Sequence, residues 1–284
     1  MYTINDVLIF DSETTGLPKK GEKWENDFMY FPDIVSLAWS FRGVDKNFII
    51  KPNGWVIPDE AAAIHGITTE IAEKNGVDLE IVLDAFYLDA GKAPLICAHN
   101  IYFDSSMIKA NTLKYMGRPY YNELAEESLG KEKRIDTMMK TIKFVGALRE
   151  NGTPGKFPKL EELYDKLFPG EKFDAHDSLE DVLALKRCLP ELVNLGIIEL
   201  KIKEYPAEQT KIEFDKKASR PKTRTTIIFD DKSHIPSIND SQTSDLILDD
   251  INDVDLSTEK QQKLKDIYYE NPISKNSLLD EDNF

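Results

Sequence analysis

Through residues 1–200, short apolar runs of strand length alternate with longer segments patterned at helical spacing. A chain written this way reads as an α/β layer fold, a sheet covered by helices. Val7-Leu8-Ile9-Phe10 reads as a buried strand. In Asp33–Phe41 the large residues Val35, Leu37, Trp39 and Phe41 alternate with smaller ones, a second strand. Phe48-Ile49-Ile50 ends a third before Pro52-Asn53-Gly54, and Pro94–Ala98 is a fourth. Helices are expected from Pro58 and over Leu79–Ala90, Phe103–Met116, Ile135–Leu148, Lys159–Phe168 and Asp177–Leu195. Pro169-Gly170 and Gly196 supply stops.

After Tyr205 the pattern decays, and Ser, Thr, Asn and Asp accumulate from Ser233 to Asp255. Charge divides the chain at the same place. Residues 1–200 carry −10, residues 201–224 carry +4 and residues 225–284 carry −9 of the total of −15. The expected organisation is a globular domain over 1–200, a basic linker over 201–224 and a poorly structured acidic tail over 225–284. Within the tail, Ser257–Tyr269 has the pattern of a short helix. The overall negative charge argues against tight nucleic-acid binding driven by bulk charge alone. No run of about 18 apolar residues is present, so no membrane span is expected. The N-terminus lacks the basic and apolar regions of a secretory signal. The two cysteines, Cys97 and Cys188, form no CxxC pair, which fits a reducing, cytoplasmic setting without a disulfide framework.

Three acidic constellations follow strands or precede helices. Asp11 and Glu13, two apart at the end of an apolar strand, share one face. Side by side and buried, two carboxylates resist ionising, and a divalent cation such as Mg²⁺ or Mn²⁺ relieves that cost. The same pair reads equally as a polar strand end entering the Gly16-Leu17-Pro18 turn. In His99-Asn100-Ile101-Tyr102-Phe103-Asp104 a polar group follows a strand and opens a helix. Taken alone, Asp104 reads as a helix-start acid facing the dipole, and His99 as a structural residue. In His176-Asp177-Ser178-Leu179-Glu180-Asp181, Asp181 lies one helical turn after Asp177. There Asp177 suits a cap, and His176 is either a loop residue or an imidazole beside a carboxylate.

Together these segments, in this order, resemble the three motifs of the DEDDh 3′–5′ exonuclease family, and the sequence is similar to the proofreading epsilon subunit of bacterial replicative DNA polymerase and its phage relatives. Asp11-x-Glu13 with Thr14-Thr15-Gly16 resembles the first motif, His99-Asn100-x-x-Phe103-Asp104 the second, and His176-x-x-x-x-Asp181 the third. Ile64-His65-Gly66-Ile67-Thr68 is a further echo. Ser12 departs from the commoner Thr. The similarity covers about residues 5–195.

The resemblance implies a ribonuclease-H-like fold, a mixed five-stranded sheet with helices on both faces. It implies that Asp11, Glu13, Asp104 and Asp181 hold two divalent ions, Mg²⁺ or Mn²⁺, about 3.5–4 Å apart. His176 would be the general base, and the product a nucleoside 5′-monophosphate from a DNA 3′ end, single-stranded or frayed. Thr14, Thr15, Gly16, Leu17, Glu60, His65, Asn100 and Phe103 would contact the terminal nucleotide, while Glu60 also reads as an exposed helix-start acid and His65 equally as a satisfied turn histidine. The loop Lys19-Lys20-Gly21-Glu22-Lys23-Trp24 reads as a strand-tracking surface or as a solvated loop with one packed Trp. The expected setting is replication proofreading or repair. A polymerase or sliding clamp would be reached through the tail. There, Gln261-x-x-Leu264-x-x-Ile267-Tyr268 faintly resembles a clamp peptide but lacks an aromatic third anchor, so an ordinary amphipathic segment is the preferred reading. An exoribonuclease and a non-catalytic adaptor on the same scaffold are the alternatives.

Overall fold

The computed structural model describes residues 3–200 and Gln262. The basic linker and the acidic tail, with its expected helix and clamp-like segment, otherwise lie outside the described residues. Five strands form one sheet: β1 (Val7–Thr14), β2 (Ile34–Phe41), β3 (Val44–Ile49), β4 (Leu95–Ala98) and β5 (Arg134–Asp136). Their order is β3-β2-β1-β4-β5. The first three are antiparallel neighbours, whereas β4 and β5 run parallel to β1. Arg42 and Gly43, at φ +51° and +81°, close the two-residue turn between β2 and β3, the geometry that suits twisted hairpins.

The helices in chain order are α1 (Trp24–Asp27), α2 (Asp59–His65), α3 (Thr69–Asn75), α4 (Leu79–Lys92) and α5 (Ile101–Tyr115). There follow α6 (Arg118–Tyr120), α7 (Glu126–Ser128), α8 (Thr137–Val145), α9 (Leu160–Leu167) and α10 (Ser178–Asn194). A π-helical turn, Tyr121–Ala125, joins α6 to α7. Alternation along β1 sends Val7 and Ile9 to a core built with Leu163 of α9 and Val182, Leu185, Leu189 and Leu192 of α10. Phe10 points the other way, its ring 5.4 Å from that of Phe86 on α4. On the same side, Tyr87 of α4 shares a 2.6 Å hydrogen bond with Thr112 of α5. Helices therefore cover both faces of a mixed five-stranded sheet, the ribonuclease-H-like arrangement.

One element differs from the sequence expectation. The helix expected over Ile135–Leu148 begins at Thr137 and ends at Val145, because Arg134-Ile135-Asp136 form β5 and the Asp136 carboxylate caps the amide of Met139 at 3.0 Å. Gly146, left-handed at φ +70°, stops it. Leu148 instead pairs with Pro154 in a small hairpin. Among the described residues, no helix is long and apolar enough to cross a membrane.

Candidate active site

The site stands where β1 and β4 end and α10 begins. Asp11 lies opposite Ala38 and Glu13 opposite Ser36, on the face that α10 covers. Pairing slips just after Glu13, where Thr14 meets Ile34 and Val35 is left as the extra residue. Such a bulge bends the strand and re-aims its end. Ser12, facing the opposite side, donates from its amide (3.1 Å) and its hydroxyl (2.8 Å) to Oδ1 of Asp104. Asp104 is only 2% exposed and sits in the first turn of α5. That helix starts from Asn100 in a left-handed conformation, φ +77°.

The third segment is organised by its own backbone. Asp177 caps α10, its Oδ1 accepting from the amides of Leu179 (3.1 Å) and Glu180 (3.2 Å). His176 is held at φ +70°, a conformation that costs a non-glycine residue about 1 kcal/mol or more. Its amide donates to Oδ2 of Asp181 at 3.0 Å, and its side chain is exposed at the rim. Ser178 fixes this helix start to the sheet, sharing a 3.0 Å hydrogen bond with Ser36 and donating to Oδ1 of Asn47 at 3.3 Å. A carboxylate oxygen of Glu13, one of Asp181 and a ring nitrogen of His176 all lie within 4.8 Å of one another.

Electrostatics draws Asp11 and Asp104 into the same cluster. Burial, then the charges of Asp104, Asp181, Glu13 and Asp177, push Asp11 well above the usual carboxylate range. Burial with Asp181, Asp104 and Asp177 nearby pushes Glu13 up to about 8. Asp104 is raised by burial to about 7 against the opposing hydrogen bonds from Ser12. Asp181 also rises to about 7, through burial and the neighbouring Asp177, Glu161 and Glu180. Among the described residues, no Lys or Arg pairs with any of the four. Oxygen donors in this number, short of positive charge, fit a hard divalent ion.

The other residues singled out from the sequence are placed unequally. His65 joins Glu13, His176, Ser36, Asn47 and Ser178 in lining a cleft. Its Nδ1 accepts from the Ile67 amide at 3.2 Å, while its buried Nε2 lies without a hydrogen-bond partner. Thr14 donates to the carbonyl of Gly16 (2.7 Å), and Thr15 accepts from the Asp33 amide (2.9 Å), so both hydroxyls shape the turn after β1. Leu17 is 79% exposed, Glu60 is exposed on α2, and Asn100 and Phe103 are half-buried. His99 is a strut: one ring nitrogen meets Thr137 at 3.0 Å and the other the carbonyl of Pro158 at 2.9 Å. Trp24 packs at 5.6 Å on Tyr121 and under Lys109. Sequence reasoning missed Ser12 as the anchor of Asp104, and the Ser36–Ser178–Asn47 link.

Residues 8–189 match the RNase T family profile, described as exonuclease. The chain belongs to this exonuclease family. Its fold is similar to that of product-bound exonuclease I, at 18% identity and a TM-score of 0.49, over 66% of this chain and 43% of that one. It is also similar to exonuclease I from Methylocaldum szegediense, at 21% and 0.47, over 65% and 40%. For E. coli exonuclease I in complex with a dT13 oligonucleotide the values are 19% and 0.50, over 66% and 40%. The exonuclease-family domain thus spans well under half the length of these proteins. No curated protein matches the chain. Within the family match fall all four acids and His176.

Proposed function

We propose that this exonuclease-family domain is a two-metal 3′–5′ exonuclease of the DEDDh type, releasing nucleoside 5′-monophosphates from DNA ends during replication proofreading or repair. The observation that carries this reading is the cluster of Asp11, Glu13, Asp104 and Asp181. Asp104 and Asp181 are buried and Asp11 and Glu13 half-buried, all four with raised proton affinities and, among the described residues, no cation paired to them, beside the imidazole of His176. Such a set is stable in its ionised form only when positive charge arrives from outside.

Mg²⁺ or Mn²⁺ held by these acids would supply charge neutralisation at the scissile phosphate and a more acidic water. The chain's own part is positioning and proton transfer. Ser12 fixes Asp104. Asp181 accepts from the backbone amide of His176 and so presents its ring at the rim. There His176 takes a proton from the attacking water on its free ring nitrogen, the usual task of a histidine general base. Thr14, Thr15, Gly16, Leu17, Glu60, His65, Asn100 and Phe103 would receive the terminal nucleotide, His65 from the cleft that it lines with Glu13 and His176. A similar fold in complex with an oligonucleotide supports a strand as substrate. Contact with a polymerase or sliding clamp would run through the tail.

The test is hydrolysis of matched DNA and RNA strands by the full chain with Mg²⁺. Deoxynucleoside 5′-monophosphates as the main product are expected. Faster release from RNA would move the substrate to RNA. Binding of strands without hydrolysis under any divalent ion would leave the adaptor reading.

A further inference from the structure

On the face of the sheet opposite α10, a second cluster mirrors the acids with the signs reversed. Lys109 lies on α5 five residues beyond Asp104, and its side chain is buried, the residue 7% exposed. Its Nζ stands 5.1 Å from the centre of the Trp24 ring and makes no hydrogen bond or ion pair among the described residues. Burial and the neighbouring Arg134 lower its affinity for a proton to about 8, against the pull of Glu126 and Glu25, and Lys131 lowers it further. Those two acids are exposed and reach no ion pair with it. Arg134 opens β5, the edge strand, and spends Nε and Nη2 on the carbonyl of Leu129 at 3.2 and 2.7 Å, with no carboxylate paired to it among the described residues. A cation over an aromatic face gains about 0.5–2 kcal/mol, less than the hydration a buried ammonium gives up. What the pair lacks is an anion.

The surroundings say which anion. Tyr102 lies in the first turn of α5, 61% exposed and two helical turns before Lys109 on the same side of that helix. Tyr121, on the π-helical turn, and Trp24 complete an interleaving of rings and cations. Exposed ring and paired cations in sequence are what a single strand meets on its binding proteins, base on ring and phosphate on cation. Position agrees with this. Lys109 is displaced about 7.5 Å along α5 from Asp104, and β5 lies about 10 Å from β1 across two strand spacings. We propose that Lys109 and Arg134 bind a backbone phosphate of the substrate strand, upstream of its 3′ end, with Tyr102 stacking on a neighbouring base. This rests on the reading of the domain as a strand-degrading nuclease and adds a second point of hold, which the negative net charge otherwise denies it.

The test is fluorescence anisotropy of the full-length protein with 5′-labelled thymidine strands of about 12 and about 2 nucleotides, in EDTA so that nothing is cut. K109M and R134Q are each expected to weaken the longer strand by about five- to tenfold and to lower its salt slope by about 0.7 per charge removed. The shorter strand should bind as to the unaltered chain, K109R should restore the longer one, and thermal melts monitor folding. Longer-strand affinity and salt slope unchanged in both folded variants would overturn the proposal, as would an unaltered chain that binds no strand. The two readings fail separately. Strand binding that depends on Lys109 without hydrolysis under Mg²⁺ contradicts the nuclease alone, and hydrolysis with binding indifferent to both residues contradicts the phosphate site alone.

Discussion

Two regions of this domain bury carboxylates, and they treat them differently. On the α4 side, Asp89 accepts from Nζ of Lys46 and from Nε1 of Trp39, each at 2.7 Å. Both members of that ion pair are nearly shut off from solvent. At the end of β1, Asp11, Glu13, Asp104 and Asp181 receive amide and hydroxyl donors at most, and each is raised toward its protonated form. The first arrangement is complete within the fold. On the reading proposed above, the second is completed by a cation. Stability and function are thereby separated, since removing a partner of a closed pair strands a buried charge, whereas removing one acid of an open cluster relieves repulsion.

Substitution breaks the comparison most sharply. Asp11→Asn should lower nuclease turnover by about 10³-fold or more, since several kcal/mol of ion-derived stabilisation depend on the set. Its metal-free melting temperature should hold or rise. Lys46→Met should do the reverse, costing about 3 kcal/mol of stability with turnover kept at a temperature where the protein is folded. Parallel melts and single-turnover rates check both.

His176→Ala comes next, with turnover down by about 10²-fold, the scale of a lost general base, and ion affinity measured by calorimetry little changed. An equal loss of both would make His176 a ligand instead.

Proton linkage gives a third, distinct signature. In the unfolded chain these acids ionise near pH 4, while folded Glu13 holds its proton to about 8 and Asp104 and Asp181 to about 7. The metal-free folded state therefore binds more protons than the unfolded one across that window, and its stability falls as pH rises from about 4 to about 8. Mg²⁺ should raise the melting temperature more at pH 8 than at pH 5. A metal-free profile that climbs with pH would contradict the cluster's charge balance.

The smallest effect is expected at Ser12. Ser12→Ala should lower turnover by about tenfold, the lower end for groups that orient ligands, with Ser12→Thr close to the unaltered chain because it keeps the hydroxyl on Asp104.

Much of this frame is legible in the chain. Apolar runs ending in acids mark β1 and the start of α5, and an Asp after a His marks the start of α10, because strand ends and helix starts carry polar residues for local reasons. Strand β5 was not legible: three residues cannot show a period, and Asp136 looks like the helix it caps. The double hold of Ser12 on Asp104 spans 92 positions, and the contact of Ser178 with Ser36 spans 142. Only packing brings such residues together. Lys109 reads from sequence as an ordinary helix lysine, because its burial is decided by Trp24 folding back over α5.

End-labelled DNA tests the central claim most directly. With Mg²⁺, a strand labelled at its 3′ end should lose its label at once as a mononucleotide, while the same strand labelled at its 5′ end should shorten one nucleotide at a time. EDTA should stop both, and Asp181→Asn should match EDTA. Cleavage that persists in EDTA, or immediate release of the 5′ label, would contradict a cation-dependent site working from the 3′ end.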